Sequence, residues 1–178
     1  LRFLSRNKLY TAIEVVGLSV ALAFVLIVGS YVWQEYSISR ENPDYERIYI
    51  PTQSMPYGIF EPMKEQIPEI EKITLVNSFD DVVMECDDER LVTRGLAVRG
   101  DFFDIFDYEF LIGDAGCLES YTDIVISESY AAKLAGKPEL AVGMKIVPVD
   151  YPSQAYTVTG VIKDFDQNYW KYMDFICK

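Results

Sequence analysis

Histidine is missing from this 178-residue sequence, and cysteine is scarce, with three residues. Without histidine there is no Ser-His-Asp or Cys-His relay, no His-ligated zinc and no haem on a proximal histidine. Cys86, Cys117 and Cys177 stand 31 and 60 residues apart. An odd count at those spacings makes neither a CxxC metal knuckle nor a disulfide framework. One bridge is open to the chain in an oxidising compartment, with no sequence signal to choose the pair; three small apolar side chains is the plainer reading. No GxxxxGK[ST] loop occurs, and Gly95, Gly100 and Gly113 lie too far apart to cradle a phosphate. Positive charge is also short, with 16 Lys and Arg against 28 Asp and Glu and a net charge of −12. That balance argues against nucleic acid, whose phosphates are met by clustered Lys and Arg.

The acids that are present do not assemble into chemistry. Asp80-Asp81, Asp87-Asp88-Glu89 and Asp164/Asp166 could hold calcium, but the D-x-[DN]-x-[DN]-G loop with its closing Glu is absent. Asp164 and Asp166 are a weak glycosidase pair, since nothing fixes the separation such a pair needs. Solvated acidic turns are the preferred reading. The sequence therefore nominates no catalytic, cofactor-binding or metal-ligating residue, and implies no cofactor.

What the sequence does contain is apolar: half of its residues are hydrophobic, enough for one domain with a core. From Val15 to Trp33 no side chain is charged. As a helix this run covers about 28 Å, close to the hydrocarbon thickness of a bilayer. Tyr31 and Trp33 at its end suit an interfacial aromatic belt. The run is longer than a signal-peptide core, and no Ala-x-Ala site follows it. It reads as a retained transmembrane helix, residues 15–33, in contact with lipid. Arg2, Arg6 and Lys8 precede it, and Glu35 and Glu41 follow. The positive-inside rule then puts residues 1–14 in the cytoplasm and the rest outside. Beyond Trp33 the chain has 13 Lys and Arg against 27 Asp and Glu, a net of −14, which favours solubility and keeps it off anionic lipid. Gly17, Ser19, Ala21, Ala23 and Gly29 offer small faces for packing against other helices.

The exported part reads as α+β. Residues 34–45 form a linker, polar from Ser37 to Tyr45 and carrying Asn42-Pro43, and 46–178 a domain. Arg47–Gln53 suggests a short strand. Phe60, Met63, Ile67 and Ile70 form a helical stripe, with Pro62 in its first turn and Pro68 at its end. Ile73–Phe79 and Leu91–Val98 are strands about the acidic turn. Asp101 is placed to cap a helical turn holding Phe102, Phe103, Ile105 and Phe106. Ile124–Ile126 is a strand leading to Ser127 as N-cap of a helix, Glu128–Ala135, closed by Gly136. Lys145–Val149 and Tyr156–Lys163 flank a turn-rich segment and read as a hairpin. Helices between strands, with the last strands paired locally, indicate α+β rather than a doubly wound parallel sheet.

Six stretches in order resemble MacB/FtsX-type ABC transporter permeases, in the variety abundant in Bacteroidetes. They are Arg6–Ile13 with Val16–Val20, Pro68–Lys72, Val98–Phe106 with Gly113-Asp114, Ile124–Ser129 with Ala132–Gly136, Val142–Ile146, and Tyr156–Phe165. Asn168 and Asp174-Phe175 are similar to the family's ending. Ala135 stands where an aromatic is usual and Asp166 where proline is preferred. The resemblance implies a periplasmic core domain with a βαβ porter-like half and a smaller inserted lobe, set between the first two helices of a permease in the bacterial inner membrane. It also implies a homodimer or heterodimer of permease chains, and a cytoplasmic ABC ATPase subunit that hydrolyses ATP while the permease itself is not an enzyme. Export or mechanotransmission across the inner membrane is the implied function. The natural product is then expected to continue into at least three more spans. The competing reading is a single-pass membrane protein whose outer domain binds a ligand as a sensor.

Overall fold

The computed structural model describes residues 8–37, 44–51, 55–87, 89–164, 170 and 172–178. It divides into two units, 1–41 and 42–178. The first is a single helix, α1 (Lys8–Ser37), exposed along almost its whole length and long and apolar enough to cross a membrane. The helix outruns the uncharged run at both ends and continues to Ser37, inside the expected linker. Its hydroxyls are satisfied internally: Ser19 Oγ donates to Val15 O at 2.7 Å and Ser30 Oγ to Ile27 O at 2.8 Å. Such back-bonding lets a hydroxyl sit in hydrocarbon without an orphaned donor.

The second unit is built on one mixed sheet. After α2 (Phe60–Gln66) come β1 (Thr74–Cys86), β2 (Glu89–Gly100), α3 (Phe102–Ile105), β3 (Phe110–Ile112), β4 (Asp123–Ser127), α4 (Glu128–Ala135), α5 (Pro138–Ala141), β5 (Lys145–Pro148), β6 (Tyr156–Ile162) and β7 (Phe175–Cys177). The strand order is β3-β6-β4-β7-β2-β1-β5, with a further β6–β5 pairing that closes the sheet on itself. β4 and β6 run parallel, Asp123 opposite Thr157 and Ser127 opposite Ile162, and the connection between them passes through α4, α5 and β5. β5 and β6 pair antiparallel as the sequence suggests.

Alternation along the strands divides the core between the two faces. Ile124, Ile126, Phe175 and Cys177 join Met84, Tyr130 and Val158 on one face. Val125 and Ile176 join Leu96, Val98 and Phe102 on the other. Strands covered on both faces carry no polar alternation, and Ile124-Val125-Ile126 and Phe175-Ile176-Cys177 read accordingly. The second face is roofed by aromatics: Phe102 lies 5.1 Å from Phe106 and 5.7 Å from Trp170, ring centre to ring centre.

Three sequence expectations need correction. Arg47–Gln53 is no strand in its described part: Tyr45–Arg47 is a 3₁₀ turn, Ile48–Pro51 is irregular, and Gln53 lies outside the described residues. Pro51 removes a ladder donor where a strand would have needed one. The first long strand does not stop at Phe79 but continues to Cys86 through a bulge at Asp81, whose φ of 57° is a conformation aspartate tolerates. Asp101 takes the N-cap position of α3, but its side chain makes no cap hydrogen bond. Its carboxylate instead accepts from Ile73 N at 3.2 Å and Lys64 Nζ at 2.9 Å, tying α2 and the start of β1 to α3. All three cysteines are free thiols, in line with the plainer reading of them as small apolar side chains.

Candidate functional site

The parallel pairing of β4 and β6 sets their carboxyl ends side by side, and β7 begins at that same end, with Phe175 opposite both Ile126 and Gly95. A cleft of about 500 Å³ lies there, lined by Asp81, Val92, Arg94, Lys133, Asp164 and Asp174, with Thr93, Ser129, Tyr172 and Met173.

Each charged group reaches it from a different element. Asp164 follows β6 and accepts from Ser129 N at 2.9 Å, at the first turn of α4. A carboxylate there meets the positive end of the helix dipole. Ser127 Oγ accepts from Tyr130 N at 3.2 Å as the N-cap, and Gly136 closes the helix at φ 74°, both as the sequence indicates. Asp174 fastens the start of β7 to β2. Its carboxylate accepts from Arg94 N at 2.9 Å, its own N–H donates to Arg94 O at 2.7 Å, and its carbonyl accepts from Ser127 N at 2.9 Å. Lys133 Nζ lies 3.9 Å from the Asp174 carboxylate, and Arg94 Nε lies 3.6 Å from Asp80. Both bases are well exposed, so these ion pairs add little stability.

Next to Ser129, the Tyr130 side chain is buried, and its hydroxyl has no hydrogen-bond partner among the described residues. Burial first, then the charges of Asp174 and Cys86, push its pKa well above the ordinary phenol value, so it stays neutral. Burial also pushes the Cys177 thiol up to about 11.

The nominated acids separate as follows. Asp81 and Asp164 face the cleft, Asp80 pairs with Arg94, Asp87 and Glu89 flank the β1–β2 hairpin tip, and Asp88, Asp166 and Asn168 lie outside the described residues. Among the described residues no three Asp, Glu or Cys side chains converge as metal ligands. Of the acids that meet in the cleft, Asp164 and Asp174 are spent on backbone N–H groups, and Asp174 makes the site a clasp that holds β7 between β2 and β4. Arg94, Lys133 and Asp174 carry no local motif. Ser129, Lys133, Asp164 and Asp174 fall within stretches that resemble the permease family, and Arg94 does not.

The sequence profile of the MacB-like periplasmic core domain matches residues 11–175. Among curated proteins no sequence matches. Among solved structures the chain is similar to a domain described as part of a permease protein from Porphyromonas gingivalis, at 25% identity and a TM-score of 0.56, over 66% of this chain and 49% of that one. The chain thus spans about half the length of that relative. The periplasmic region of MacB from Actinobacillus actinomycetemcomitans is similar at 13% identity and a TM-score of 0.47, over 70% of this chain and 61% of that one. The extracellular domain of the noncanonic ABC-type transporter YknZ from Gram-positive bacteria matches at 17% identity and a TM-score of 0.43, over 59% and 51%.

Proposed function

The chain belongs to the MacB-like periplasmic core domain family, and from that premise we propose that it works as the outer part of an ABC transporter permease in the bacterial inner membrane. The observation that carries the reading is the join, in one chain, of a family-matched α+β unit to a bare apolar helix. A helix whose apolar side chains are all exposed needs a non-aqueous surrounding, and lipid supplies it along residues 15–33. Basic residues on the N-terminal flank place that end in the cytoplasm, so residues 46–178 lie outside.

A cytoplasmic ABC ATPase subunit then supplies the free energy. Its stroke reaches the outer unit through α1, with a second permease chain as counterpart, and drives export or transmits force. Nothing in the cleft competes with that role. Asp164 and Asp174 are satisfied by backbone amides, and no histidine is available to activate a nucleophile. The same satisfied carboxylates disfavour a sensor that would bind a charged ligand there. The test is co-purification with the ABC ATPase of the same operon and assay of ATP hydrolysis in lipid nanodiscs. A stable complex with several-fold faster hydrolysis than the ATPase alone is expected. No complex, with hydrolysis unchanged, would overturn the proposal.

A further inference from the structure

Among the described residues, β1 has a neighbour on one side only ahead of its bulge. Asp101 N donates to Ile73 O at 3.1 Å, and the register runs unbroken from Thr74 opposite Gly100 to Phe79 opposite Gly95. In an antiparallel ladder alternate residues bond to the same neighbour. The odd residues Ile73 to Phe79 therefore face β2, and the N–H and C=O groups of Thr74, Val76 and Ser78, with the N–H of Asp80, point to the opposite edge. β5 covers that edge only beyond the bulge, at Met84 and Glu85, where Val149 N donates to Val83 O at 2.9 Å. Among the described residues no backbone group bonds to the edge from Thr74 to Asp80. Exposed edges are ordinarily guarded by lysine, proline or a bulge. Thr74-Leu75-Val76-Asn77-Ser78-Phe79 has none of these along its length, and Asn77, Ser78 and Phe79 are exposed.

We propose that this edge pairs antiparallel with the same edge of a second copy of this chain, about a two-fold axis at Asn77. The inference deepens the permease reading, on which it rests for the meeting of two chains. The sequence is complementary to itself in this register. Val76 falls opposite Ser78 and Thr74 opposite Asp80, which completes about six backbone hydrogen bonds by the alternation of the ladder. On the other face Leu75 of each copy meets Phe79 of the other, an aliphatic–aromatic cross-strand pair on either side of Asn77. An unrelated peptide would have to supply both matches, whereas a second copy brings them by symmetry.

Asn77 and its counterpart form a non-hydrogen-bonded pair with Cα atoms about 4.5 Å apart, inside the roughly 4.4–6.8 Å range of disulfides. The test uses the full chain in phospholipid vesicles, in a Cys117→Ser background that leaves two buried native thiols. With copper phenanthroline, Asn77→Cys should cross-link to a dimer about tenfold faster than Val92→Cys, an exposed control outside the edge, a difference of about 1.4 kcal/mol. Ser78→Pro removes an outward-facing N–H without touching the β1–β2 ladder, and should abolish the Asn77→Cys cross-link while circular dichroism stays unchanged. Independently of that variant, Leu75→Cys with Phe79→Cys in one chain should cross-link, and each alone should not. Equal rates at Asn77 and Val92, or a faster cross-link with Leu75→Cys alone, would overturn the pairing. If the ATPase subunit still co-purifies in that case, the permease reading stands without it.

Discussion

Replacing Gly95 by alanine is expected to destabilise the outer unit strongly, although the change usually does the reverse. A glycine in a strand interior loses more backbone entropy on folding than alanine, so the swap ordinarily gains about 0.4–1 kcal/mol where the backbone permits it. Gly95 is opposite Phe175 in the parallel β2–β7 pair, and the Phe175 ring lies across it: a Cβ at Gly95 would overlap three ring carbons. The ring is 3% exposed and packed in the core cluster with Met84, Ile126 and Tyr130, so no free volume lies behind it. Overpacking of this kind costs about 1–3 kcal/mol, and complete expulsion of a buried phenylalanine costs about 3–5 kcal/mol. A loss near 3 kcal/mol corresponds to a fall in Tm of about 10 °C for a unit of this size. The assay is thermal unfolding of the full chain in detergent micelles, followed by near-ultraviolet circular dichroism. Phe175→Leu costs stability alone but makes room for the new methyl, so the double variant should recover about 1–2 kcal/mol of the summed loss. A Tm for Gly95→Ala within 2 °C of the wild type, or strict additivity of the two changes, would refute the argument.

Three further outcomes follow from single contacts. Ser127→Ala removes the N-cap of α4 and should cost about 1 kcal/mol, read as a lower Tm, with faster amide exchange at Tyr130. At Asp101 burial works to raise the pKa, but the Lys64 hydrogen bond, the Ile73 amide and the charges of Lys64 and Lys72 outweigh it and hold it below 3.8. A group depressed on folding stabilises above its unfolded pKa and loses that contribution as pH falls through the folded value. Asp101→Asn should therefore flatten the stability profile below about pH 4, and an unchanged acid limb would contradict the assignment. Cys177, with its thiol pushed up to about 11 and its side chain buried, should resist iodoacetamide at pH 8 while half-buried Cys117 reacts first; mass spectrometry of the labelled peptides decides it.

The parts legible in the sequence are those fixed by local physics. Ser127, Glu128–Ala135 and Gly136 give an N-cap, a helix and a left-handed C-cap within ten residues, and the structure reproduces all three. The uncharged run announces α1, although the helix extends past it because Lys8–Glu14 and Gln34–Ser37 are themselves good helix sequence. The second half of β1 was hidden, because Asp80-Asp81 reads as a solvated turn. In the structure a bulge absorbs the pair and the strand resumes at Val82. β7 and β3 have three residues each, too few for any period to register. β7 exists because β2 and β4, distant in sequence, leave a slot between them. The cleft was illegible for the same reason: Asp81, Arg94, Lys133, Asp164 and Asp174 come together only once the sheet has closed.

Work on the outer face of a membrane depends first on which side of it the large unit stands, and thiol accessibility in intact cells measures that directly. Tyr151 is exposed in the turn between β5 and β6, and Ser5 precedes α1. With a membrane-impermeant maleimide, Tyr151→Cys should be modified in whole cells whose outer membrane has been permeabilised, and Ser5→Cys should be modified only after lysis. Labelling of Ser5→Cys with protection of Tyr151→Cys would place the unit in the cytoplasm and contradict the permease account.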